Sequence, residues 1–156
     1  MSQLRNEKLK VELIWWIFTA IIVIAVLFPI WHNVPSFPFY AENIFFVAAF
    51  VTFTRYIFLL PTTPIARSKW IKVFIIAISA ILFFVMTTGL GDFHNFLEER
   101  GLQTLVTHLH VTKQSSVINY IKSEMIFFGV ASIIAGLILP VRMIVSLWRM
   151  RNRGTV

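Results

Sequence analysis

The chain contains no cysteine. Disulfide scaffolds, thiol redox chemistry, cysteine-ligated zinc and iron–sulfur clusters are therefore excluded. Charge is scarce as well. Only 13% of the 156 residues are Asp, Glu, Lys or Arg, about half the share found in soluble domains. Acids are the rarer sign, seven against 14 Lys and Arg. Neither a nucleotide-binding loop nor a paired-carboxylate motif stands in the sequence. What is abundant is apolar: 58% of the residues are hydrophobic, 16 of them Phe, and the mean hydropathy is +0.79. A globule of this size has too little interior to hide that surface. A bilayer must serve as its solvent, which excludes soluble enzymes, disordered proteins and free nucleic-acid binders.

Four apolar runs, 13–31, 41–60, 73–90 and 125–148, are long enough to cross a hydrocarbon core of about 30 Å as helices. The expected fold is all-α. It is a single transmembrane domain over 1–156, an antiparallel four-helix bundle with a short surface helix in the long outer loop 91–123. The first run follows a basic start, as a signal peptide would. Its apolar core is longer than a signal core, and no small-x-small cleavage site follows it, so it reads as a retained helix.

Lysine and arginine set the orientation. Arg5, Lys8 and Lys10 precede the first run, Arg67, Lys69 and Lys72 join the second to the third, and Arg142, Arg149, Arg151 and Arg153 close the chain. Ten of the 14 basic residues thus gather on one side, which makes both termini cytoplasmic. These edge charges suit anionic headgroups and explain the net +7 without nucleic acid. Trp15, Trp16, Trp70 and Trp148 fall at the inner edges, and Trp31, Tyr40 and Tyr120 at the outer ones, the depth that amphipathic rings prefer.

The outer side collects the remaining chemistry. It holds all four histidines, His32, His94, His108 and His110, and the acids Glu42, Asp92, Glu98, Glu99 and Glu124. Asp92 and Gly101 read as the start and stop of a short helix lying on the membrane surface, with Phe93, Phe96 and Leu97 on one face. Residues 102–111 fit a strand or a helix, and Lys113 to Ser116 read as a turn. Imidazole and carboxylate together suit Zn²⁺ or Cu²⁺, so His94, His108 and His110 form a candidate metal set. No His-x-x-x-His pair supports it, and solvated loop histidines are the plainer reading.

The second and fourth runs open alike, Glu42-Asn43-Ile44-Phe45-Phe46 beside Glu124-Met125-Ile126-Phe127-Phe128. Strings this apolar match by chance, so no duplication is inferred. The match nevertheless puts a carboxylate at the outer edge of both runs. Each suits the positive end of a helix dipole, and the pair could also attract cations or protons.

Arg55 is the costly residue. It sits inside the second run, on a stripe with Thr52, where an unpaired charge costs about 1–3 kcal/mol. Glu12, a helix-end carbonyl or a lipid phosphate are its candidate partners. Gly129, Ser132 and Gly136 mark a small-residue seam for close helix packing in the fourth run.

The functional expectation is an integral inner-membrane protein, a non-catalytic subunit or scaffold of a larger complex. Its partners would be lipid and other subunits or copies of itself, not nucleic acid. One alternative is an oligomeric transporter or channel using Arg55, Glu42 and Glu124. Another is an outer-face metal-binding protein or enzyme using His94, His108 and His110. Outside that last case no cofactor is expected, and no residue is assigned a catalytic role.

Overall fold

A computed structural model describes residues 2–152, with side chains from Leu9 onward. The side chains of Arg5, Glu7 and Lys8, and the whole of Arg153, lie outside the described residues. The elements are helices throughout: α1 (Ser2–Asn33), α2 (Tyr40–Leu59), α3 (Lys69–Glu99), the single turn α4 (Gln103–Val106) and α5 (Val111–Asn152). Among the described residues α1, α2, α3 and α5 are long and apolar enough to span a membrane, so the chain is an all-α, multi-pass membrane protein.

Local chemistry sets the boundaries. The segment after Asn33 holds Pro35 and Pro38, and the Tyr40 hydroxyl donates to Val34 O at 2.9 Å, closing the turn into α2. The α2 helix stops at Leu59, where Pro61 and Pro64 each open a short 3-10 turn, whereas Pro29 and Pro140 lie inside α1 and α5. Two short 3-10 turns, Leu60–Thr62 and Pro64–Arg67, bridge to α3. There Ser68 caps the next helix by accepting from Ile71 N.

The outer connection is shorter than the sequence suggests. Asp92 starts no separate surface helix, because α3 runs unbroken through it to Glu99. Lys113 to Ser116 form no turn, because α5 already begins at Val111. Phe93 and Ile121 on the extensions are buried in the same core cluster as Leu102, which precedes α4, and Val106 of α4. The short helix of this region is α4, and its apolar side points into the core. Residues 102–111 contain no strand. Gly101 does stop α3: its φ of +69° is the left-handed region, and both Arg100 N and Gly101 N donate to Phe96 O at 3.0 Å.

Successive spans run in opposite directions, so the two chain ends share one end of the bundle, called here the terminal end. The opposite, distal end holds α4. The helix α5 packs along both α2 and α3, which barely touch each other, while α1 leans mainly on α2. Consequently α2 and α5, both descending from the distal end, lie side by side in the same direction. Phe46, Phe53, Met86, Met125, Leu139 and Met143 fill the α2–α5–α3 interior.

Small residues make that approach possible. A Cβ on Gly129 would lie 2.8 Å from Leu90 Cδ1, and one on Gly136 2.8 Å from Met86 Cε. Ser132 between them is fully buried, and its hydroxyl donates to Gly129 O at 2.8 Å.

Candidate functional site

Two polar centres lie inside the bundle, one toward each end. At the terminal end α1 brings Glu12 to Arg55 of α2. The guanidinium grips the carboxylate at two points, Nη1 to Oε1 at 3.2 Å and Nη2 to Oε2 at 2.6 Å. The Tyr56 hydroxyl adds a third bond, donating to Glu12 Oε1 at 2.8 Å. The Trp15 and Tyr56 rings lie 5.3 and 5.4 Å from the guanidinium carbon, a distance at which ring faces attract cations. The Arg55 side chain is 4% exposed and that of Glu12 18%. Arg55 Nε is buried and donates to no acceptor. Thr52 lies half-buried one turn before Arg55.

Helical side chains lean toward their own N-terminus. Arg55 therefore leans away from the terminal end. Because α1 runs the other way, Glu12 leans toward that end, and only a long side chain such as arginine can double back to meet it.

At the distal end the parallel pairing of α2 and α5 sets Asn43 beside Glu124. The amide Nδ2 donates to Glu124 Oε2 at 2.8 Å. Asn43 is fully buried and Glu124 nearly so. The amide oxygen Asn43 Oδ1 and the second carboxylate oxygen Glu124 Oε1 accept no hydrogen bond, and neither does the buried Glu42 Oε2. Glu42 itself faces α3, its Cγ 3.4 Å from where a Gly89 Cβ would stand. One turn further out the Tyr120 hydroxyl donates to Val26 O of α1 at 2.7 Å.

The histidines are dispersed among separate local contacts. His94 pairs with Glu98 of its own helix at 3.1 Å, both exposed. His108 Nε2 lies 2.9 Å from Asn33 O, and His110 Nδ1 3.0 Å from Thr112 Oγ1. Among the described residues no group of three or more His, Asp or Glu is placed to hold a metal. The three candidate metal ligands therefore do not converge.

Sequence reasoning missed Tyr56, Asn43 and Lys72. Asn43 sits next to Glu42 in the opening string of the second run, where the fourth run has Met125, so the sequence match gave no signal for it. For Lys72, a lysine at a span edge looks like any topological anchor. Its burial depends on the 3-10 turns folding over it.

These features define a class, the four-span helical membrane proteins with polar groups buried between their helices. Comparison with protein-family models, curated proteins and solved structures finds no match to this chain.

Proposed function

We propose that the protein is a structural subunit of a larger membrane assembly, seated in a bacterial inner membrane with both termini cytoplasmic. The observation that carries this reading is that the side-chain hydrogen bonds between residues far apart in sequence join one helix to another. Glu12, Arg55 and Tyr56 tie α1 to α2. Asn43 ties α2 to Glu124 of α5, and Arg142 Nε of α5 donates to Ile57 O of α2 at 2.9 Å. Tyr120 ties α5 to α1. The outward surface is left apolar, and only 11% of the most hydrophobic stretch of α3 is buried within the chain. The orientation rests on the ten basic residues of the terminal end. The experiment is extraction from its native membrane in mild detergent. Comigration with a second polypeptide in fixed ratio is expected, and a stable lone monomer overturns the reading.

One observation favours a second reading. The buried oxygens of Glu42, Asn43 and Glu124 that accept no hydrogen bond are groups an oligomeric transporter could use to take up a cation or proton. Flux in reconstituted vesicles, lost in Glu42→Gln or Glu124→Gln, supports this alternative. Absence of flux with the unaltered protein removes it.

A further inference from the structure

Lys72 is fully buried at the terminal end. Its ammonium donates to Ala66 O at 2.6 Å and rests 2.8 Å from the thioether sulfur of Met150. An ammonium carries three donors, and a thioether is a weak acceptor, so these contacts leave it poorly satisfied. Ala66 and Met150 also form part of the wall of a cavity of about 190 Å³, completed by Arg142, Ser146 and Arg149 over an apolar floor that includes Leu60. Positions 142, 146 and 149 recur at helical spacing on one face of α5.

The charge around this cavity is of one sign. No Asp or Glu lines it. Glu12, the one acid at this end whose side chain is described, is already bound by Arg55 and Tyr56. Arg142 spends its Nε on Ile57 O, and its guanidinium lines the cavity. Orientation alone needs basic residues near the surface; it does not need an ammonium buried behind a cavity.

We infer that this cavity holds the phosphate of an anionic phospholipid. Arg142 and Arg149 supply planar forks that match two phosphate oxygens and Ser146 a hydroxyl donor, while Lys72, behind Ala66 and Met150, adds a positive charge without lining the cavity. At about 30 Å³ per water, the space admits a phosphodiester and part of its hydration. The site lies where α2 ends and α3 begins, at headgroup depth. Basic pockets between spans on the cytoplasmic side suit such headgroups.

The test uses the full chain purified in a neutral detergent. Phosphatidylglycerol, phosphatidylcholine with the same acyl chains, and inorganic phosphate are titrated separately, and bound lipid is read by native mass spectrometry. Phosphatidylglycerol should bind about tenfold more tightly than phosphatidylcholine, which presents the same phosphate but also a quaternary ammonium that the basic wall repels. Arg149 is exposed, so Arg149→Ala folds; it should erase that tenfold preference. Arg151→Ala, two positions on and off the cavity, should retain it. Equal binding of the two lipids overturns the inference, as does equal loss in both variants. Displacement of phosphatidylglycerol by millimolar inorganic phosphate also overturns it, since the site would then take free anions.

Discussion

Replacing Glu12 by glutamine should destabilise the protein more than replacing Arg55 by leucine, although the two residues form one pair. The asymmetry comes from depth. In Glu12→Gln the guanidinium stays behind, 4% exposed, with its charge uncompensated, held only by one neutral amide oxygen and the ring faces of Trp15 and Tyr56. Removing one member of a buried pair costs about 3–5 kcal/mol. Glu12 is 18% exposed, which lets some water in, so the lower end of about 3 kcal/mol applies. In Arg55→Leu the carboxylate stays behind instead, still hydrogen-bonded by Tyr56 and nearer the water. The expected cost there is about 1–2 kcal/mol. Combining Glu12→Gln with Arg55→Leu leaves no buried charge, and such replacements are often close to neutral. The double variant should therefore lie at least about 2 kcal/mol above the sum of the single losses. The assay is the unfolding midpoint in a titration of denaturing against neutral detergent. A Glu12→Gln protein within about 0.5 kcal/mol of the parent, or a double variant that simply adds the two losses, would refute the reasoning.

Three further outcomes follow from the same interior. Glu124→Gln adds an amide donor beside Asn43 Oδ1, which accepts no bond, and should leave stability unchanged or raise it by up to about 1 kcal/mol. Glu124→Leu removes the acceptor of the Asn43 amide and should cost about 1–3 kcal/mol in the same titration. Gly129→Leu and Gly136→Leu should each cost about 1–3 kcal/mol by overpacking. Gly136→Ala should cost less, because its nearest contact, Met86 Cε at 2.8 Å, is the free end of a flexible side chain. Replacing His94, His108 and His110 together by glutamine should leave the thermal response to equimolar zinc unchanged, because each histidine has its own separate contact. A zinc-dependent rise in melting temperature, lost in the triple variant, would contradict this.

The spans were legible because twenty apolar residues in a row have few other places to go. Arg55 was legible because a charge inside such a run needs an answer, and Glu12 was one of few acids at the correct end. Helix neighbours were not legible. Nothing one-dimensional says that α2 and α5 lie side by side in parallel, so the Asn43–Glu124 contact could not be read. Polar composition made residues 91–123 look like loop. Whether a helix continues beyond the bilayer depends on tertiary packing, here of Phe93 and Ile121 in one core cluster with Leu102 and Val106. The histidines show the opposite error, since membership of one outer region does not bring side chains together.

The reading as a structural subunit turns on what lies against α3, whose outward residues include Phe84 at 69% exposed. The most direct measurement places a photo-crosslinking amino acid at Phe84, irradiates native membranes and identifies the adducts by mass. The account predicts one discrete product joining this chain to a different polypeptide. Adducts with lipid alone, or with a second copy of this chain alone, would contradict it.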